Sequence, residues 1–128
     1  MTGLIDRVED VADRLWLQSP HAVLDAGLDQ RMVVVDVETT GLDVRRDDLL
    51  AIGAVSIEAG SLKLADSYSD LLVPDQTPTP HNLLVHRLTP QRLRNAVLPS
   101  HALADFLTFV DAAPLLAYPA PFDAAVLR

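Results

Sequence analysis

No cysteine occurs among the 128 residues, which excludes disulfides and thiolate metal sites and leaves Asp, Glu and His as metal ligands. No apolar run approaches the roughly 20 residues of a membrane span. The stretch Thr2-Gly3-Leu4-Ile5-Asp6-Arg7 has no basic region followed by an apolar one, so it does not read as a signal peptide. The expectation is a cytoplasmic protein. Positive charge is also short: ten Lys and Arg stand against 18 Asp and Glu, a net charge of −8. That balance argues against a protein that holds nucleic acid mainly by charge. It leaves open an enzyme that grips a few terminal nucleotides through bound cations, which invert the local field. Internal repeats and low-complexity tracts are absent. What is present, 49% apolar and 22% charged residues, is ordinary for one globular domain with a modest core.

The chain is organised around Met32-Val33-Val34-Val35-Asp36-Val37-Glu38-Thr39-Thr40-Gly41-Leu42. Four consecutive apolar residues, three of them β-branched, predict a buried central strand. Asp36 and Glu38 are two apart, so on an extended chain both side chains leave the same face. Two neighbouring carboxylates at the end of an apolar strand repel and are costly to desolvate. A divalent cation removes that conflict, and oxygen-only ligands suit Mg²⁺ or Mn²⁺. Gly41 allows a turn in which backbone approaches a ligand closely. By itself an Asp-x-Glu pair is equally a strand running out into a solvated acidic loop.

Upstream, Leu4, Val8, Val11 and Leu15, widened by Ile5, Ala12 and Trp16, predict an amphipathic helix ended by Ser19-Pro20. It either docks on its own domain or offers Trp16 to a protein partner. Residues 1–30 are thus a helix and lead-in, and residues 31–128 the domain proper. Downstream of Gly41, residues 43–48 form a polar loop whose Arg45 and Arg46 are solvated or touch a phosphate. Leu49–Glu58 is a second strand, with Ser56 and Glu58 turned to solvent, and Ala59-Gly60 a tight link. Residues 61–73 form a third strand, completing an antiparallel meander. Residues 74–80, with three prolines, are a surface crossing. Thr89-Pro90 opens a short helix, and Ser100 caps the next, whose stripe is Leu103, Phe106, Leu107 and Val110. Residues 114–118 are a short buried strand, and Pro121-Phe122-Asp123 starts a last helix. The fold class is α/β: an antiparallel three-strand meander, a fourth strand and flanking helices.

Asp36-Val37-Glu38-Thr39-Thr40-Gly41-Leu42 resembles the first motif of the DEDD superfamily of 3′–5′ exonucleases, of the proofreading-subunit type, on a ribonuclease H-like fold. Leu115-Leu116-Ala117-Tyr118-Pro119-Ala120-Pro121-Phe122-Asp123 resembles the second motif, and Val85-His86-Arg87-Leu88-Thr89 the His-Gly-Ile-Thr segment that meets the 3′-terminal nucleotide. The resemblance covers residues 31–128, the first part of the catalytic domain. It implies that Asp36, Glu38 and Asp123 are catalytic metal ligands, with Asp36 bridging two ions. One ion lowers the pKa of the attacking water, and the other stabilises the leaving 3′-oxyanion. Thr39, Thr40, Gly41, Leu42 and His86 would bind the end of a single-stranded or 3′-terminal DNA or RNA, with Leu42 pressing on a base.

The chain departs from the family in three places. Tyr118-Pro119 stands where the family has His-Asn, so a side-chain donor and acceptor is lost. Arg87 replaces a glycine and narrows the approach to the substrate. The third motif, with its general-base His and fourth acidic ligand, does not occur within these residues. The expectation is that residues 1–128 alone hydrolyse little. The alternative is a degenerate exonuclease-fold module that binds a nucleic-acid end or a protein partner.

Overall fold

The computed structural model describes residues 29–75, 80, 89–117 and 120–127. The N-terminal helix with Trp16, the His86 segment and Tyr118-Pro119 lie outside the described residues. Four strands form one mixed sheet: β1 (Met32–Thr39), β2 (Leu49–Glu58), β3 (Ser61–Leu71) and β4 (Leu115–Leu116), in the order β3-β2-β1-β4. β1 pairs antiparallel with β2 and parallel with β4, so the expected buried strand is central. Helices α1 (Pro90–Leu93), α2 (Pro99–Val110) and α3 (Ala120–Val126) complete the described elements. The architecture is a mixed α/β sheet with one parallel strand, and it fits the ribonuclease H-like fold that the resemblance implies.

Alternation along β1 separates core from site. Val33, Val35, Val37 and Thr39 are buried on one face, while Asp36 and Glu38 are exposed on the other. The buried row meets α2 through Phe106, Leu107 and Val110, with Ile52, Leu72 and Leu115 around them. Tyr68 on β3 ties α2 to the sheet: its ring lies 5.7 Å from Phe106, and its hydroxyl is 2.7 Å from the Ala102 carbonyl and 2.8 Å from Asp70 Oδ2. Burial and the Asp70 carboxylate hold that phenol protonated.

Several local expectations hold, and two need correction. Ala59 and Gly60 both adopt positive φ (48° and 72°), the conformation a two-residue hairpin requires. Thr89 caps α1 by accepting from the Arg92 amide, with Pro90 at the first helical position. Ser100, however, is not a cap. α2 begins one residue earlier, at Pro99, and its cap position is Leu98, with no side-chain hydrogen bond. Proline has no amide proton to satisfy and its φ suits a first turn, so it takes the start in place of a capping hydroxyl. Ser56 does not face solvent either. Ser56 falls on the face of β2 that carries the buried Leu50, Ile52 and Ala54, and is itself fully buried. Its hydroxyl lies without an ideally placed hydrogen-bond partner. It is near enough to Asp66 to help hold that carboxyl below the usual range, after the larger effect of Arg31, whose Nε is 2.7 Å away.

Two strands are shorter than expected. β3 ends at Leu71, after which Leu72 makes a parallel bridge to Val97. β4 has two residues rather than five.

Candidate active site

β4 stays short beside β1. Val33 donates its amide to Pro114 O at 2.9 Å, and the ladder between β1 and β4 ends at Val34 and Leu116. Amides of alternate β1 residues point the same way, and Val37 lies beyond the last described rung of that ladder. α3 carries Asp123, whose carboxyl lies near enough to the Val37 amide for that amide to favour its ionised form. Asp123 is 2% exposed. Burial pushes its carboxyl up to about 6; its own amide opposes the shift, the negative charge of Asp36 adds to it, and the Val37 amide opposes it again. The buried Asp123 carboxyl thus lies in the field of the exposed Asp36 carboxylate.

Glu38 shares the exposed face of β1 with Asp36. Among the described residues no three acidic or histidine side chains converge on one point as they would around an ion. The structure thus brings Asp36 and Asp123 into electrostatic contact, keeps Glu38 on the same strand face, and leaves His86 outside the described residues.

Beyond β1 the loop carrying Thr39, Thr40, Gly41 and Leu42 is internally braced. A register shift between Glu38 and Thr39 precedes the last pair of β1 with β2, Thr39 with Leu49, and the Thr40 amide still donates to Asp48 O at 2.9 Å. Thr39 Oγ1 donates to the Gly41 carbonyl. Thr40 Oγ1 donates to Asp47 Oδ1 at 3.0 Å and accepts from the Asp48 amide at 2.9 Å. Both threonine hydroxyl protons are therefore used inside the loop, while Leu42 is 86% exposed. Asp47 is the residue that sequence reasoning passed over, as one more charge in a polar loop. Nothing in its spacing marks it, because its role depends on the turn that folds it back.

Gly41 is required here for a reason the sequence could not give. A Cβ at this position would lie 2.5 Å from Asp47 Oδ2 and 2.8 Å from Asp47 Cγ. Gly41→Ala is expected to displace that carboxylate and release the amide of Asp43, which donates to it at 2.8 Å. Hydrogen exchange at Asp43 should accelerate roughly tenfold, the loss of about one net hydrogen bond, with the core amides of β1 unaffected. Unchanged exchange at Asp43 would contradict this reading of the glycine.

The profile of the RNase T-type exonuclease family matches residues 33–128, three quarters of the chain and both halves of the site. The chain belongs to the exonuclease family. It is similar to a PolC-type DNA polymerase III of Thermotoga maritima, 34% identical over 100 residues, covering 78% of this chain and 7% of that protein. A DNA polymerase III epsilon subunit of Treponema pallidum is 30% identical over 93 residues, covering 73% of this chain and 42% of that one. Among solved structures, E. coli exonuclease I in complex with a dA16 oligonucleotide superposes with a TM-score of 0.64 at 19% identity, over 77% of this chain and 23% of the other. The cell-death related nuclease CRN-4 gives 0.57 at 11%, over 70% and 34%. Membership is thus of the DEDD exonuclease type, on the ribonuclease H-like fold. The chain spans about 7% of the length of the first PolC relatives. No helix among the described residues is long and apolar enough to cross a membrane.

Proposed function

We propose that this chain carries the nuclease site of a cytoplasmic 3′–5′ exonuclease that removes nucleotides from the 3′ end of single-stranded nucleic acid with Mg²⁺ or Mn²⁺. The observation that carries the reading is the buried Asp123 carboxyl in the field of Asp36, pushed up to about 6 chiefly by its burial. Such a pair fits a divalent cation: the donors are all oxygen, and a cation offsets both the burial of one carboxyl and its repulsion by the other. Asp36 and Asp123 would hold the ion, with Glu38 beside them on the same face of β1. When bound, the ion would lower the pKa of an attacking water and balance charge on the leaving oxygen.

The rest is done by the chain. The Val37 amide lies near the Asp123 carboxylate and favours its ionised form. The loop after β1 offers the exposed side chain of Leu42 to a terminal base, a contact indifferent to sequence. A second reading, a module that holds a nucleic-acid end or a protein partner without cutting, is favoured by the lack of three converging ligands among the described residues.

Incubation with a 5′-labelled single-stranded oligonucleotide tests both. Slow shortening from the 3′ end that requires Mg²⁺ or Mn²⁺, and that disappears with Asp36→Ala, is the expected result. Ion-dependent binding of the end without any shortening would favour the second reading. No binding and no shortening would sink both.

A further inference from the structure

We propose that Asp47 is a positioning residue that aims Leu42 at the terminal nucleotide; this rests on the end-binding reading above. Leu42 lies between Gly41 and Asp43, and the Asp47 carboxylate holds both flanks. On the C-terminal side, Oδ2 accepts from the Asp43 amide at 2.8 Å. On the N-terminal side, Oδ1 accepts from Thr40 Oγ1 at 3.0 Å, and the carboxylate passes so close to Gly41 that an added Cβ would fall 2.5 Å from Oδ2. The Asp47 amide in turn donates to Asp43 O at 2.8 Å, which closes the turn on itself.

An 86% exposed leucine at a loop tip would ordinarily sample many orientations. With its neighbours braced by one carboxylate, the backbone bearing it is set before any ligand arrives, and a base that stacks there need not order the loop. The bracing calls for two acceptor oxygens and no donor. Aspartate supplies both; asparagine supplies one and presents an NH₂ group to the other partner.

The test is binding of a 5′-fluorescent single-stranded oligodeoxynucleotide, with Ca²⁺ in place of Mg²⁺ to hold back hydrolysis, read by anisotropy. Two probes are used, one ending in a 3′-hydroxyl and one in a 3′-phosphate. Asp47→Ala is expected to bind the 3′-hydroxyl probe roughly tenfold more weakly, about the affinity equivalent of ordering one loop residue. Asp47→Asn should fall between it and wild type, and gives the result should the alanine variant not fold. The decisive readout is coupling: in a Leu42→Ala background, Asp47→Ala should cost almost nothing more, because there is no longer a side chain to aim. A residue that merely stabilised the loop would weaken both backgrounds alike. If wild type binds the 3′-hydroxyl probe preferentially but Asp47→Ala matches it, or weakens Leu42→Ala by the full factor, the role of Asp47 is overturned and the end-binding reading stands. If wild type shows no preference between the probes, the end-binding reading fails and takes this role with it.

Discussion

Asp36→Ala should weaken divalent-ion binding at least about a hundredfold, since loss of even an outer-shell partner commonly costs 10–100-fold and Asp36 is proposed as a direct ligand. Calorimetric titration with Mn²⁺ or Mg²⁺ reads this without any need for turnover. The same substitution carries a second signature. Asp36 is one of the two causes that push the Asp123 carboxyl up, the larger being burial. Removing its charge should therefore lower the Asp123 pKa from about 6 toward the ordinary carboxylate value without bringing it all the way down. Carbon-detected NMR titration of the Asp123 carboxyl follows this directly. Unaltered ion affinity, with an unaltered Asp123 titration, would mean that the two carboxyls do not form one site.

The second large effect is on stability against pH. The Asp123 carboxyl titrates at about 6 in the folded chain and near 3.8 when unfolded. Between those values the folded state binds the extra proton, so stability falls as pH rises through that window and levels off above it. The upper limit of the loss is about 3 kcal/mol, two pKa units at 1.36 kcal/mol each. Asp66 has the opposite tendency, because Arg31 lowers its pKa. The clean measure is thus the difference between wild type and Asp123→Asn, which shares that pair. In metal-free buffer, wild type should lose stability relative to Asp123→Asn from pH 4 to pH 6.5, as followed by urea unfolding. Saturating Mn²⁺ should reverse the slope, since a cation favours the ionised carboxyl. Parallel curves in metal-free buffer would show that Asp123 ionises as freely folded as unfolded.

Much of this was written along the chain because it rests on local rules. The triple-valine run and the period-2 placement of Asp36 and Glu38 follow from strand geometry alone, so β1, its buried face and its acidic face were legible. So were the Ala59-Gly60 hairpin and the Thr89-Pro90 start of α1, each set by the conformational preferences of two adjacent residues. The motif at residues 36–42 and the Phe122-Asp123 pair pointed to the family, which the match over residues 33–128 bears out.

Ser56 was misread because its polarity was weighed above its position: alternation puts it on the face of Leu50, Ile52 and Ala54, which the sheet buries. Ser100 was misread because two plausible helix starts stood side by side, and only the folded backbone chose Pro99. Asp47 looked like any solvated charge. Its hold on Thr40, Gly41 and Asp43 exists only once a loop of several residues has closed on itself.

The sequence by itself determined the strand, the spacing of its two carboxylates and the family, all properties of residues near one another in the chain. Tertiary structure alone decided that Asp123 is buried near the Val37 amide and in the field of Asp36. That arrangement joins residues more than eighty positions apart, and its energy depends on burial and on a neighbouring charge. Neither exists until the sheet and α3 have met.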